Sequence, residues 1–81
     1  MAQVLRDMAV GESGRVTGFA AGSAPAYRRK LLALGLTKGV QFRVTRVAPL
    51  GDPVEIVLRG FSLSLRRDEA DIVLIETLDQ N

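Results

Sequence analysis

The run Arg28-Arg29-Lys30 is the densest group of side chains in this sequence that could do chemistry. Consecutive cations of this kind bind either the phosphates of a nucleic acid or an acidic protein surface. A nucleic-acid surface also needs exposed aromatic rings on which bases stack, and the chain has only three phenylalanines, one tyrosine and no tryptophan. The pattern therefore favours a solvated or protein-binding face. No nucleic-acid partner is expected, and a small RNA-binding barrel is kept as an alternative.

The acidic residues Asp68, Glu69 and Asp71 form the second group. Carboxylates can hold magnesium or calcium, but this spacing matches no EF-hand loop. A turn capped by Asp68, with the other two acids solvated, explains the group better. The chain contains no histidine and no cysteine, which excludes imidazole and thiolate ligands and histidine-dependent catalysis. We therefore predict no enzyme activity, no catalytic residue, no cofactor and no metal site. Iron binding by carboxylates alone is conceivable, but a selective ferrous site is not expected.

The segment Ala48–Pro53 places one leucine where water is expected. Proline, glycine and aspartate make this segment a hairpin loop, and Leu50 stands at its tip between Pro49 and Gly51. Such a leucine could anchor a protein partner. In the alternative, the loop folds back and covers one end of the fold.

One helix is predicted over residues 24–34. Ser23 is a natural N-cap, and Pro25 suits the first turn, where no backbone donor is missed. Gly35 is expected to end the helix in the left-handed conformation, with Leu36 closing a Schellman motif.

The rest of the chain reads as strands. Alternating or continuous apolar residues predict strands near residues 14–19, 40–44, 54–59, 61–65 and 72–75, with a bulge or sharp bend at Gly60. Five short strands and one inserted helix in 81 residues predict a mainly β fold, a small closed barrel forming a single domain over residues 1–81. The predicted core is Val16, Leu31, Leu34, Val40, Phe42, Val44, Ile56, Leu58, Leu63, Leu65 and Ile72.

Charge and hydropathy bear on location and partners. The net charge is only +2, but basic residues concentrate in residues 1–46 and acidic residues in 47–81, a pattern typical of a polar partner surface or of two halves that attract each other. The longest apolar runs span four residues, whereas a membrane helix needs about 20. We therefore expect a cytoplasmic protein without membrane insertion.

Several motifs taken together resemble the FeoA family. They are Leu5…Met8…Gly11-Glu12…Gly14-Arg15-Val16, the segment Arg28–Gly39, the loop Ala48–Pro53 and the closing segment Arg59–Ala70. The resemblance covers residues 5–75, nearly the whole chain. It implies an SH3-like barrel with one inserted helix, and an accessory protein of bacterial ferrous iron uptake. The implied partner is the cytosolic GTP-binding domain of the membrane transporter FeoB.

The resemblance also suggests where that partner would bind. We expect the partner-binding surface to join the basic residues Arg28, Arg29 and Lys30 to the loop residues Pro49, Leu50 and Gly51. The favoured function is that of an adaptor that binds FeoB, and three alternatives stay open besides it. One is a GTPase activator that supplies an arginine in trans, although no single arginine stands out for it. The others are a regulatory interaction module like the SH3-like domain of iron-dependent repressors, and self-association through the loop tip.

Overall fold

A single antiparallel sheet forms the frame of the molecule, seen here in a computed structural model that describes residues 3–78. The strands are β1 (Gln3–Val4), β2 (Ser13–Phe19), β3 (Gln41–Val47), β4 (Val54–Leu58), β5 (Phe61–Leu65) and β6 (Val73–Thr77). Their order across the sheet is β1-β6-β2-β3-β4-β5. This confirms the predicted mainly β class, although the sheet has six strands instead of five. The expected closure is wrong, because β1 and β5 do not pair with each other in the described part of the chain.

The predicted helix is present as α1 (Pro25–Ala33), and its end follows the prediction. Gly35, at φ +103°, donates from its N–H to the Leu32 carbonyl, and the Leu36 N–H binds the Leu31 carbonyl, both at 3.0 Å. These two bonds are the Schellman closure. The predicted cap at Ser23 is wrong, because Ala24 occupies the N-cap position. Proline forces the residue before it into an extended conformation, so the boundary falls directly before Pro25.

A second, shorter helix was not predicted. This helix, α2 (Arg67–Ile72), includes the start of the segment 72–75 that the apolar run assigned to a strand. Strand β6 follows immediately after it. Two carboxylates bind the free amides at the start of α2: Glu69 accepts from the Arg66 N–H at 2.8 Å, and Asp52 from the Arg67 N–H at 3.3 Å. The second bond comes from a distant loop, which no local pattern reveals.

Two tight connections shape the β3–β4–β5 meander. A tight turn at Pro49–Gly51, with Leu50 in the left-handed conformation, links β3 to β4, as the loop composition predicted. The link from β4 to β5 is the two-residue turn Arg59-Gly60, with φ of +49° and +84°. Positive φ at both positions is the type I′ geometry that matches the twist of a hairpin. The sharp bend predicted at Gly60 is therefore confirmed.

The core draws side chains from the sheet and from both helices. Eight predicted core residues are buried, and Leu34, Leu63 and Ile72 are half-buried and pack against the core. The 3₁₀ turn Leu5–Asp7 adds the fully buried Leu5, which the sequence analysis did not place there. The buried set is Leu5, Met8, Val16, Leu31, Leu36, Val40, Phe42, Val44, Val54, Ile56, Leu58, Leu65, Ala70, Val73 and Ile75.

Gly14 on β2 is the point where the core tolerates no side chain. A Cβ at this position would lie 2.9 Å from Cζ of Phe42, 3.1 Å from Cε of Met8 and 3.2 Å from the Glu76 carbonyl oxygen. We expect Gly14→Ala to lower the free energy of unfolding by about 2 kcal/mol, because the backbone oxygen of β6 cannot move without loosening the β2–β6 ladder. Urea denaturation measures this loss. Thr17→Ala, at an exposed site on the same strand, should change stability much less, and an equal loss in both variants would contradict the packing argument.

Candidate partner-binding surface

Arg28 and Arg29 lie on the exposed face of α1, as predicted. Together with Phe19, Pro25 and Leu32 they line a shallow groove of about 280 Å³. Within residues 3–78, neither guanidinium forms an ion pair with a carboxylate. Both positive charges therefore face solvent beside apolar surface, an arrangement that suits an acidic protein partner.

Lys30 behaves differently from its two neighbours. Its Nζ lies 2.5 Å from Oε2 of Glu69, and the Glu69 side chain is only 4% exposed. Burial alone would raise the pKa of Glu69, but the hydrogen bond from Lys30 and that from the Arg66 N–H outweigh it, so the pKa falls below its ordinary value. Lys30 thus connects α1 to α2. The charge of Lys30 is therefore paired with Glu69, whereas Arg28 and Arg29 form no ion pair within residues 3–78.

The first turn of α2 contacts both the basic helix and the loop. Glu69 binds Lys30 of α1, while the Arg67 N–H binds the carboxylate of Asp52 in the Ala48–Pro53 loop. The basic helix and the loop are therefore both attached to the same short turn. Arg66 and Arg67, which are exposed in that turn, were missed as candidates. The sequence signal that could have identified them is the pair of consecutive arginines directly before Asp68 and Glu69.

Leu50 projects into solvent at the tip of the loop. Its exposed fraction is 92%, so the alternative in which it covers one end of the fold is wrong. The loop is held by two backbone bonds, from the Gly51 N–H to the Ala48 carbonyl at 2.9 Å and from the Ala48 N–H to the Pro53 carbonyl at 3.0 Å. Leu50 itself has φ +66°, a conformation that costs an L-residue with a branched side chain about 1 kcal/mol. The fold thus holds an apolar side chain in water on a strained backbone.

The acidic residues do not converge on one point. Asp71 pairs with Arg6 at 2.8 Å, whereas Glu69 faces Lys30. In the described part of the chain, no three acidic side chains are grouped so that they could hold a metal ion. Over the same residues, no helix is both long and apolar enough to span a bilayer.

This chain is similar to known proteins in both sequence and fold. The family model of the FeoA domain matches residues 3–77. A fusion protein of Fe(2+) transport protein A with the Fe(2+) transporter FeoB, from Porphyromonas gingivalis, is 33% identical over 55 residues. That match covers 68% of this chain but only 6% of the fusion protein.

Solved structures of related proteins share the fold of this chain. An FeoA-like protein from Clostridium acetobutylicum superposes with a TM-score of 0.86 at 34% identity, over 99% of this chain and 91% of that one. The FeoA of Stenotrophomonas maltophilia, an SH3 domain protein solved with zinc, gives 0.78 at 26% identity, over 91% and 89%. These similarities confirm the predicted SH3-like fold. With its whole sheet and both helices inside the matched range, the chain belongs to the FeoA domain family.

Proposed function

We propose that this protein is a cytoplasmic accessory of ferrous iron transport that binds the cytosolic GTP-binding domain of a FeoB-type membrane transporter. The observation that carries the proposal is the relative from Porphyromonas gingivalis in which a transport protein A and FeoB form one chain. Covalent linkage replaces a bimolecular encounter by a high effective concentration, an advantage only when the two parts act together. An adaptor needs a surface and no catalytic group, and the chain offers such a surface.

The docking surface combines an apolar anchor with a charged border. Leu50 is the anchor, because its side chain is already presented to solvent and loses water on binding. Arg28 and Arg29 attract an acidic patch on the partner and speed its approach. The Lys30–Glu69 pair and the Asp52 bond to α2 hold these elements in a fixed relation, which lowers the entropic cost of binding.

Calorimetric titration with the isolated cytosolic domain of FeoB tests the proposal. The titration is run with GDP and with a non-hydrolysable GTP analogue bound to the domain. Saturable binding in at least one nucleotide state is expected, and a preference would show which state the adaptor stabilises. Absence of binding in both states would contradict the proposal. GTP turnover measured at saturating adaptor separates simple binding from activation of the GTPase.

Charge reversal on α1 should lower the rate at which the protein associates with the cytosolic domain of FeoB. We expect the double variant Arg28→Glu, Arg29→Glu to slow association about tenfold at low salt, because steering by opposite charge raises on-rates by roughly that factor or more. Stopped-flow or surface plasmon resonance at several salt concentrations measures the rate and its salt dependence. The matched control is the double variant Lys38→Glu, Arg43→Glu, two exposed cations outside this surface. Equal slowing by both variants would show that only net charge matters.

A further inference from the structure

Strand β5 lies at one end of the sheet order and pairs with β4 alone among the described residues. The two-residue turn makes Leu58 and Phe61 a hydrogen-bonded pair. Alternation along the ladder then directs the backbone N–H and C=O groups of Ser62 and Ser64 away from β4. These outward groups form no hydrogen bond with any residue from 3 to 78.

The outer edge of β5 has little of the protection that natural edge strands carry. Lysine, proline and bulges normally block such edges, and the segment Phe61–Leu65 contains none of them. Ser62 and Ser64 are exposed, and their small side chains leave the backbone accessible. Phe61 is 44% exposed at the start of the strand and offers apolar surface to an incoming chain.

Arginines stand at both ends of this edge. Arg59 precedes β5, and Arg66 and Arg67 follow it, all three exposed. None of their guanidinium groups forms an ion pair with a carboxylate in the part of the chain that the structure describes. Of the acids near these ends, Glu55 lies 3.4 Å from the Thr45 hydroxyl, Asp52 binds the Arg67 backbone N–H and Glu69 pairs with Lys30, while Asp68 is exposed beside Arg67. The edge therefore presents free strand hydrogen bonds between two ends that carry arginine side chains.

This charge pattern selects between two kinds of occupant. If a second copy paired through β5, the outward Ser62 of one copy would face Ser64 of the other, and Leu63 would lie on the two-fold axis. That register places the start of β5 in one copy, preceded by Arg59, beside the end of β5 in the other, followed by Arg66 and Arg67. Like charges facing each other across strands are destabilising, whereas acidic residues on a foreign strand would meet the arginines favourably.

We propose that the outer edge of β5 binds an extended segment of a partner protein, with acidic residues at both ends of that segment, as a seventh strand of the sheet. Main-chain hydrogen bonds to Ser62 and Ser64 supply affinity, and the flanking arginines supply selectivity for an acidic segment. This site does not depend on the proposed contact with FeoB. It uses neither Arg28, Arg29 nor Leu50, so the two proposals can fail separately.

The test uses a short synthetic peptide and the full chain. The probe is an end-blocked peptide of alternating valine and threonine with two aspartates at each end, and the comparison peptide carries two lysines at each end instead. Titration is followed by NMR of the backbone amides. We expect the largest shifts at Ser62 and Ser64, protection of these two amides from hydrogen exchange, and binding of the acidic peptide only.

Two substitutions of Ser64 test whether its outward backbone N–H takes part in peptide binding. Ser64→Pro removes an outward N–H that the β4 ladder does not use, so the fold tolerates it, while binding of the acidic peptide should fall about tenfold or more. Ser64→Thr keeps the N–H and should bind as the unmodified chain does. Unfolding midpoints of both variants check the fold, and Ser62→Pro gives the same test if Ser64→Pro is unstable. Equal affinity in the proline and threonine variants, equal binding of the lysine peptide, no binding, or dimerisation through β5 would each overturn the proposal.

Discussion

Replacement of Glu69 by alanine is expected to lower the free energy of unfolding by about 2 to 3 kcal/mol at neutral pH. The carboxylate is buried and binds two groups: the Lys30 ammonium at 2.5 Å and the Arg66 N–H at 2.8 Å. Alanine removes the bond at the start of α2 and detaches α1 from it. Because Lys30 is half-exposed, water compensates part of the lost ion pair, which keeps the loss below that of a fully buried pair. Urea denaturation at pH 7 measures it.

Acidification should reproduce part of this loss in the unsubstituted protein, the part that depends on the charge of Glu69. The pKa of Glu69 lies below its ordinary value in the folded state, where burial is outweighed by Lys30 and the Arg66 N–H. Its stabilising contribution is therefore complete above the unfolded-state pKa of about 4.3, and it is lost as the pH falls through the folded-state pKa. The difference in stability between the unsubstituted protein and Glu69→Gln should shrink over that range. Asp68→Ala, at an exposed neighbouring carboxylate, is the control and should cost little at any pH.

The sequence predicts those parts of the fold whose cause is local. Alternation of apolar residues specifies β4 and β5, because every second side chain of a half-buried strand must face the core. The end of α1 is equally local, since Gly35 and Leu36 close it with bonds to its own last turn. The short helix α2 is only partly specified by local sequence. Glu69 binds the Arg66 N–H three residues away, but the first turn also depends on Asp52 in a distant loop and on Lys30 of α1, contacts that only the folded chain creates.

The same division holds for the candidate surface. A cation on the polar side of a helix stays in water unless an acid meets it, so the exposure of Arg28 and Arg29 follows from sequence. The role of Lys30 does not follow, because Glu69 lies far away along the chain and reaches it only through the packing of α2. The placement of the basic helix and the loop on either side of that turn is likewise a product of tertiary structure.

Leu50→Gly should separate binding from stability, with opposite effects on the two. Leu50 has φ +66° and ψ +12°, a left-handed conformation that glycine adopts without steric cost. Because its side chain is 92% exposed, removing it takes nothing from the core. We therefore expect the free energy of unfolding to rise by up to about 1 kcal/mol, while affinity for the cytosolic domain of FeoB falls at least about tenfold.

Comparison with Leu50→Ala assigns each effect to its cause. Alanine removes the apolar anchor but keeps a Cβ in the left-handed region, so binding should weaken as in the glycine variant without the gain in stability. Chemical denaturation gives the free energy of unfolding of each variant, and calorimetric titration gives its affinity for the cytosolic domain of FeoB. Unchanged affinity in both would remove Leu50 from the docking surface, and a loss of stability in the glycine variant would contradict the strain argument. The proposed role of Leu50 therefore depends on two observations that these variants separate, its positive φ and its exposed apolar side chain.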